Sequence, residues 1–242
     1  MIALVTLIIF AGAVIQSALG FGTTMITMGF LPLFMEYSTA MGLSIVMVMI
    51  STGCISVKYR DAIRWDIMMP FLVPTAIICG LVNVLSAKVN SEIMYLLLGM
   101  MFVAVAVFFF AFSARIHIKP TIASGTLLGA ICGICYGLFA SGGPTAALYF
   151  LPATNSKREY LATIQMFLFV NNIMILIISI LMGRLHMTDL PLIGAGAAGL
   201  GAGSFLGLLI HDRIPADRFG RVIYAFVGIG GLWIIVSHLT GI

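Results

Sequence analysis

The stretch Ala140-Ser141-Gly142-Gly143-Pro144-Thr145 interrupts an uncharged run that extends from residue 120 to residue 156. A second glycine-dense stretch, Gly20-Phe21-Gly22-Thr23-Thr24, interrupts the uncharged run from residue 1 to residue 35. Glycine permits positive φ angles and close backbone approach, and Pro144 suits the first turn of a new helix because its missing N–H costs little there. The sequence therefore predicts a break in a helix at each of these stretches.

Each break is predicted to separate a long helix from a short one. In the first run, the long helix covers residues 2–19 and the short helix continues to about residue 34. In the second run, the helices cover residues 120–138 and 144–153. Backbone that is left unpaired at membrane depth is tolerated only where it is buried in protein or lines a wet cavity, so both breaks are candidate functional elements.

Around these two runs, the charged residues are so sparse that they divide the chain into membrane-length segments. The chain of 242 residues is 62% hydrophobic and 8% charged, whereas a soluble domain carries roughly 25% charged residues. This composition excludes a soluble enzyme, a nucleic-acid-binding domain and a disordered scaffold. Eight uncharged stretches of at least 21 residues lie between the charges: 1–35, 37–57, 67–87, 93–114, 120–156, 160–183, 190–211 and 222–242. Because about 20 apolar residues cross a bilayer as a helix, we predict an all-α polytopic membrane protein.

The N-terminus and the cysteines suggest no other class of protein. No Lys or Arg precedes Lys58, so the first ten residues are interpreted as the start of a membrane helix rather than a secretory signal. Cys132-Gly133-Ile134-Cys135 has the spacing of redox and zinc sites, but no polar partner or second ligand pair stands nearby. We interpret these cysteines, with Cys54 and Cys79, as packing residues, and we predict no metal and no cofactor.

The order of one long and three short uncharged stretches occurs twice, which indicates an internal repeat of about 120 residues. Gly22 stands ten residues before Pro32, and Gly142 stands ten residues before Pro152. The predicted repeats cover residues 1–114 and 120–242, and residues 115–119 form the connector. Transporters are often built from such repeats.

The basic residues favour inverted repeats. If each long run crossed the membrane once, Lys58, Arg60 and Arg64 would lie opposite Lys157 and Arg158, and the twelve Lys and Arg would split evenly. If each long run enters and returns, only Lys88 and Arg184 lie on one face, and the other ten share the opposite face. By the positive-inside rule, we predict two inverted repeats, each a broken, re-entrant helix pair followed by three transmembrane helices. Both termini are then periplasmic, and the connector is cytoplasmic.

The short helices point to an anion site. Their N-termini, near Gly22 to Thr24 and Gly143 to Thr145, present free N–H groups and positive dipole ends. Two such ends can bind an anion without a basic side chain. The alternative is that these glycines only allow close helix packing, which is how we interpret Gly196, Gly199, Gly201, Gly203 and Gly207.

Neutral polar side chains recur at equivalent repeat positions. Ser51-Thr52 and Asn171-Asn172 are 120 residues apart, as are Gln16 and Tyr136. These side chains can donate hydrogen bonds to an anion, or they can bond helix to helix; Gln165, Asn83 and Thr75 are interpreted as structural. The complete predicted binding set is Gln16, Gly20, Phe21, Gly22, Thr23, Thr24, Ser51, Thr52, Tyr136, Ser141, Gly142, Gly143, Thr145, Asn171 and Asn172.

Other mechanisms fit the sequence less well. No Asp, Glu, Lys or Arg lies in the predicted membrane core and the four histidines stand near segment ends, which disfavours a proton-coupled carrier. Phe139-Ala140-Ser141-Gly142 approaches an intramembrane protease motif, but its leading residue is not glycine and no mid-membrane histidine can act as base. A non-transporting membrane subunit remains an alternative.

The whole chain resembles the sulfite exporter TauE/SafE family, also called the toluene sulfonate uptake permeases. The two halves of four segments, each opening with a glycine element followed ten residues later by proline, are similar to that family. The loop from Lys58 to Trp65 and its counterpart from Gly183 to Met187 resemble the family's turn between the second and third helices. The chain departs from the family at Ala140 to Gly143, where the glycine run is usually fuller.

The resemblance implies a transporter of the bacterial inner membrane. Its expected activity is export of sulfite, an organosulfonate or a related sulfur-containing anion. The alternative is uptake of thiosulfate, a sulfonate or another small organic anion. The expected partners are this anion and the lipid bilayer, with a homodimer left open and no nucleic acid.

Overall fold

A computed structural model of the chain describes residues 2–86, 89–112, 120–181 and 190–211, with positions 228–229, 231–233 and 235–236. Over these residues the protein is helical and contains no strand. The α-helices are α1 (Ile2–Leu19), α2 (Thr23–Phe30), α3 (Tyr37–Lys58), α4 (Trp65–Ser86), α5 (Ser91–Phe112), α6 (Ile122–Phe139), α7 (Gly143–Ala153), α8 (Lys157–Leu181) and α9 (Leu190–His211). Short 3-10 helices follow α2 at Leu31–Leu33 and α3 at Arg60–Ala62. The connector 115–119, the turn from Gly183 to Met187 and most of the last uncharged stretch lie outside the described residues.

Six of these helices, namely α1, α3, α4, α6, α8 and α9, are long and apolar enough to cross a membrane. Each offers at least 18 residues of mostly apolar side chains, which matches the thickness of the hydrocarbon core. The chain is therefore a multi-pass membrane protein, as its composition predicted.

The two helix breaks stand where the glycine-dense stretches predicted them. α1 ends at Leu19 and α2 begins at Thr23, and α6 ends at Phe139 and α7 begins at Gly143. In the first break, Gly20 and Gly22 have φ angles of 89° and 127°, which only glycine adopts without strain.

The second break is built differently. Its left-handed residue is Ala140, with φ at 52°, whereas Gly142 has φ at −107°. Of the two properties that glycine permits, positive φ and close backbone approach, the glycines of the first break use positive φ and those of the second do not. Gly142 and Gly143 are needed there for space instead, as their contacts show below.

Each short helix lies beside the long helix that precedes it. A Cβ added to Gly12 would lie 3.1 Å from the Cα of Thr23, at the start of α2. The Tyr149 hydroxyl, in α7, lies 3.5 Å from the Thr121 carbonyl oxygen, just before α6 begins. The chain therefore folds back at both breaks instead of continuing along the axis of the long helix.

Helices α1 and α9, which come from opposite ends of the sequence, pack in parallel along a glycine seam. A Cβ added to Gly199 would press on the Thr6 carbonyl, and one added to Gly207 would press on the Val14 carbonyl. At these contacts the residue numbers increase together along both helices, so α1 and α9 run in the same direction.

The packing interpretation holds for most glycines of α9 but not for all of them. Gly196, Gly199, Gly203 and Gly207 all face close neighbours, but a Cβ on Gly201 would meet no described atom within 4 Å. The interpretation of Gly201 as a packing glycine is therefore wrong.

Helices α4 and α6 form the matching pair. Thr75 donates a hydrogen bond to the Gly129 carbonyl at 2.9 Å, and Asn83 donates to the Gly137 carbonyl at 3.1 Å. Here too the residue numbers increase together along both helices, so α4 and α6 are parallel. They confirm the structural roles predicted for Thr75 and Asn83.

Helices α3 and α8 pack in opposite directions. Gly53 faces the ring of Phe169, with a hypothetical Cβ 2.9 Å away, while the backbone N–H of Arg64, beyond the end of α3, donates to Thr163 at 3.0 Å. Later positions on the α3 side thus meet earlier positions on α8, so the two helices are antiparallel.

Ion pairs join the loop after α3 to the start of α8. Arg158 binds Asp61 at 2.6 Å, and Arg64 binds Glu159 at 3.4 Å. The hydrogen bond and charge of Asp66 raise the pKa of the Arg64 guanidinium, which therefore stays charged. We call this part of the molecule the basic end; it carries Lys58, Arg60, Arg64, Lys157 and Arg158.

An aromatic cluster anchors α7 between α4 and α8. The ring centroid of Phe71 lies 5.0 Å from that of Tyr149 and 5.1 Å from those of Phe150 and Phe167. Such ring pairs stabilise a structure by about 0.5–1.5 kcal/mol each beyond their buried area. This packing fixes the position at which α7, and with it the second break, enters the interior.

Candidate functional site

The two helix breaks meet at a small cavity inside the bundle. Its volume is about 10 Å³, which is room for roughly one water molecule. The first half of the chain contributes α1, the first break, α2 and α3 to its wall, and the second half contributes α6, the second break, α7 and α8. The lining residues are Gln16, Phe21, Gly22, Thr24, Met25, Val48, Tyr136, Ala140, Ser141, Gly143, Pro144 and Leu168.

Direct contact between the breaks depends on Gly143. A Cβ added to this residue would lie 2.5 Å from the Cβ of Phe21, far closer than two carbons can approach. A Cβ on Gly142 would likewise press on the Tyr136 ring and lie 2.5 Å from Cys132 Sγ. The second break therefore uses glycine for close approach, both to the first break and to its own preceding helix.

Free backbone donors from both short helices lie at this junction. The first backbone hydrogen bond of α2 runs from Ile26 to the Gly22 carbonyl at 3.1 Å, and that of α7 runs from Ala146 to the Gly142 carbonyl at 3.0 Å. The N–H groups of the first residues of each short helix have no acceptor inside that helix, and α7 offers one fewer because Pro144 has no N–H. The positive end of a helix favours an anion without any basic side chain.

Four neutral polar side chains line the cavity, namely Gln16, Thr24, Tyr136 and Ser141. Gln16 donates to Gln165 at 3.4 Å, and Gln165 in turn donates to the Gly20 carbonyl at 3.2 Å. Gln165 thus braces the first break from α8, which confirms the structural role predicted for it. Ser141 is 5% exposed, so its hydroxyl is shielded from bulk solvent at the second break.

The predicted asparagine pair lies next to the cavity wall rather than in it. Asn172 donates to the Tyr136 hydroxyl at 2.8 Å and to the Leu168 carbonyl at 2.7 Å. Asn171 donates to the Phe167 carbonyl at 2.9 Å, within its own helix. The side-chain carbonyl oxygens of both asparagines are buried and have no hydrogen-bond partner among the described residues. Asn172 therefore positions a residue of the wall, Tyr136.

The serine–threonine pair of α3, Ser51 and Thr52, also lies next to the cavity wall rather than in it. Thr52 donates to the Val48 carbonyl at 2.7 Å, and the buried Ser51 hydroxyl has no hydrogen-bond partner in the part of the chain that the structure describes. Val48 lines the cavity, but Ser51 and Thr52 do not. The predicted site residues that do not line the cavity are Gly20, Thr23, Ser51, Thr52, Gly142, Thr145, Asn171 and Asn172.

Two tyrosines that the sequence reasoning missed bind the ends of the broken helices. Tyr160 of α8 donates to the Leu19 carbonyl at 3.1 Å, and Tyr37 of α3 donates to the Leu138 carbonyl at 2.9 Å. The signal that could have revealed them is a tyrosine near the start of the helix after each short helix.

The cysteines near the second break are free thiols. Cys132 donates to the Gly142 carbonyl at 3.3 Å, so it contributes to the packing of the break. Among the described residues, no group of three His, Cys, Asp or Glu side chains is placed to hold a metal ion.

The comparison with family models agrees with the resemblance seen in the sequence. No curated protein and no solved structure matches the chain. The family described as sulfite exporter TauE/SafE matches residues 4–234, which include both helix breaks. The chain belongs to the sulfite exporter TauE/SafE family, which is a family of membrane transporters.

Proposed function

We propose that the protein exports sulfite, an organosulfonate or a related small sulfur-containing anion, and that the anion binds where the two helix breaks meet. The observation that carries this proposal is a cavity that both breaks line. Thr24 from the first turn of α2 and Gly143 from the first turn of α7 both belong to its wall, from opposite halves of the chain. A helix N-terminus carries about half a positive charge, so two of them roughly balance one negative charge.

The neutral lining of the cavity suits transport. Each oxygen of a sulfite or sulfonate group accepts hydrogen bonds, which the backbone N–H groups, Gln16, Thr24 and Ser141 can donate. None of the lining residues carries a formal charge. A site without an arginine or lysine holds an anion strongly enough to desolvate it and weakly enough to release it.

The small cavity indicates the state that the structure represents. A volume of about 10 Å³ holds roughly one water molecule, and a sulfite ion is larger. The breaks must therefore separate before an anion enters, and the structure corresponds to a contracted site. Alternating access, in which one half moves against the other around a fixed site, provides such a separation.

We also propose that the two halves are inverted repeats with re-entrant first segments. The fold-back of α2 on α1 and of α7 on α6 supports this proposal, as does the antiparallel packing of α3 and α8. The ion pairs Arg158–Asp61 and Arg64–Glu159 support it further, because a single crossing per long run would place these residues on opposite faces of the membrane. By the positive-inside rule, the basic end is then cytoplasmic and both termini are periplasmic.

The direction of transport follows from the driving force. An anion that leaves an inside-negative cell gains about 2.3 kcal/mol per charge per 100 mV, which supports export without a coupling ion. The same site serves uptake of thiosulfate, a sulfonate or another small organic anion if their gradients favour entry. A non-transporting membrane subunit would have no use for a shared cavity with convergent donors.

Anion flux through the purified protein tests the proposal. Liposomes that contain the protein and are loaded with sulfite or with an aryl sulfonate are expected to release the anion faster than protein-free liposomes. Ser141→Ala removes a donor of the cavity, and because a hydrogen bond to a charged group is worth about 1.5–3 kcal/mol, we expect the KM to rise about tenfold or more.

The matched control is Ser17→Ala. Ser17 is a buried serine of α1 whose hydroxyl has no partner and which does not line the cavity, so its KM should stay within twofold of wild type. Equal KM values in Ser141→Ala and wild type would exclude the second break from the anion site. No release of any tested anion by the wild type would contradict the transport function.

A further inference from the structure

Two buried tyrosines tie the halves of the chain together beside the cavity. Tyr160, in α8, donates to the carbonyl of Leu19 at the end of α1, and Tyr37, in α3, donates to the carbonyl of Leu138 near the end of α6. The tyrosines are 8% and 6% exposed. Each bond thus runs from a helix that follows a short helix to the broken helix of the other half.

The acceptors are the carbonyl groups that a helix break leaves unpaired. The last carbonyls of an α-helix have no intrahelical donor, and leaving one unpaired in the interior is unfavourable. Leu19 is the last residue of α1, and Leu138 is the penultimate residue of α6. The two phenols therefore act as caps that only the opposite half of the chain provides.

The two bonds lie at opposite ends of the molecule. Tyr160 follows Arg158 and Glu159 at the start of α8, so the Tyr160–Leu19 bond is at the basic end. Helix α4 begins at the basic end, α6 runs parallel to α4, and Leu138 near the end of α6 is therefore at the far end. Tyr37 lies there too, because it begins the helix that ends at Lys58. The cavity lies between the two levels, because its lining residues Val48 and Leu168 are farther along α3 and α8 than the two tyrosines.

We infer that Tyr37 and Tyr160 are positioning residues for transport, each closing the cavity toward its own end. This inference rests on the proposed transport function, since the contracted cavity must open to admit an anion. Opening toward the basic end separates α1 from α8 and breaks the Tyr160–Leu19 bond. Opening toward the far end separates α6 from α3 and breaks the Tyr37–Leu138 bond. Each bond stays intact while the other is broken.

The test is the accessibility of the cavity from each face of the membrane. Ser141→Cys places a thiol in the cavity wall, and the parent protein with its four native cysteines gives the background labelling. A membrane-impermeant maleimide is applied to one face of sealed vesicles, whose orientation is established with an Asp61→Cys variant at the basic end. Loss of one buried hydrogen bond shifts a two-state equilibrium by about two- to tenfold.

Tyr160→Phe is therefore expected to raise the labelling rate about two- to tenfold from the basic-end face and not from the other. Tyr37→Phe is expected to do the reverse. Tyr149→Phe is the control, because its hydroxyl also faces a backbone carbonyl, that of Thr121, but within one half of the chain. Labelling of that variant should match wild type on both faces.

An equal rise on both faces, or no rise with either tyrosine variant, overturns the inference and leaves the phenols as static caps. If one variant fails to fold, the other still decides the question at its own end. The labelling does not require anion flux, so a wild-type protein that transports no tested anion would contradict the proposed function while the labelling still tests the tyrosines.

Discussion

Gly143 is the residue on which the shared cavity depends most directly. Its missing side chain leaves the space that the Phe21 Cβ occupies, and a Cβ there would be 2.5 Å from it. Phe21 cannot yield easily, because it belongs to a break whose two glycines already have positive φ angles. The site is thus formed by backbone that approaches backbone, with side chains adding to it.

Gly143→Ala is expected to abolish most of the transport. Forcing a methyl group into a packed interior costs about 1–3 kcal/mol, and each 1.4 kcal/mol is a factor of ten. We therefore expect flux in proteoliposomes to fall about tenfold or more. Gly201→Ala is the control, because a Cβ there meets no described atom within 4 Å and alanine favours helix. Wild-type flux in Gly143→Ala would contradict the close approach of the two breaks.

We expect Asn172 to act on the proposed site through Tyr136, and we expect no such effect from Asn171. Asn172→Ala removes the amide that binds the Tyr136 hydroxyl at 2.8 Å, and a buried hydrogen bond is worth about 0.5–1.5 kcal/mol. We expect the KM for the anion to rise about two- to tenfold. Asn171→Ala removes only a bond within its own helix and is expected to keep the wild-type KM.

The role of Asn172 can be separated from direct substrate contact by a double-mutant cycle. If Asn172 acts through Tyr136, adding Asn172→Ala to Tyr136→Phe changes the KM little further, because the two changes remove the same interaction. Additive effects would show instead that Asn172 reaches the anion independently.

At the scale of single residues, the sequence is informative where chemistry is local. Glycine density located both breaks, because the first break needs positive φ angles at Gly20 and Gly22 and the second needs close approach at Gly142 and Gly143. Tyr37 and Tyr160 escaped notice because their acceptors lie more than 100 positions away in the chain. Gly201 and Gly203 cannot be told apart by composition either, since the rotation of α9 against α1 decides which one is packed.

At the scale of elements, the spacing of the charges predicted the helices. An uncharged run of membrane length must satisfy its own backbone hydrogen bonds in lipid, and a helix does so. The bounds of α1 and α6 agree with the predicted ranges to within about two residues. Which helices pair, however, depends on packing that the spacing does not encode. The parallel seams of α1 with α9 and of α4 with α6 were visible only once the backbone contacts were known.

The antiparallel pair α3 and α8 makes a prediction about sidedness. Reporter fusions after Asp61 and after Ser156 are expected to lie on the same, cytoplasmic face, because Arg158 binds Asp61 at 2.6 Å. A fusion after Glu36, at the start of α3, is expected on the opposite face. Reporters with a folded enzyme that is active on one side only, such as a phosphatase, distinguish these positions. Asp61 and Ser156 on opposite faces would refute the inverted arrangement.

At the scale of the whole molecule, the location of the charges constrains the energetics of transport. The described charged residues lie at helix ends, and no charged side chain lines the cavity. Proton-coupled carriers usually hold a carboxylate or a histidine relay at membrane depth. The function that we propose, with a neutral anion site, predicts that the membrane potential moves the substrate.

Anion efflux from proteoliposomes is therefore expected to respond to voltage and not to a proton gradient. A potential of 100 mV acts on each charge with about 2.3 kcal/mol, which at 1.4 kcal/mol per factor of ten changes the equilibrium anion ratio roughly fiftyfold. With a potassium diffusion potential that is negative inside, efflux should accelerate, and reversing the sign of the potential should slow it. A pH gradient imposed at zero potential should leave the efflux rate unchanged. Liposomes that contain the Gly143→Ala protein serve as the low-flux control. Efflux that follows the pH gradient and ignores the potential would require a proton-carrying group, and would contradict a site made of backbone and neutral donors.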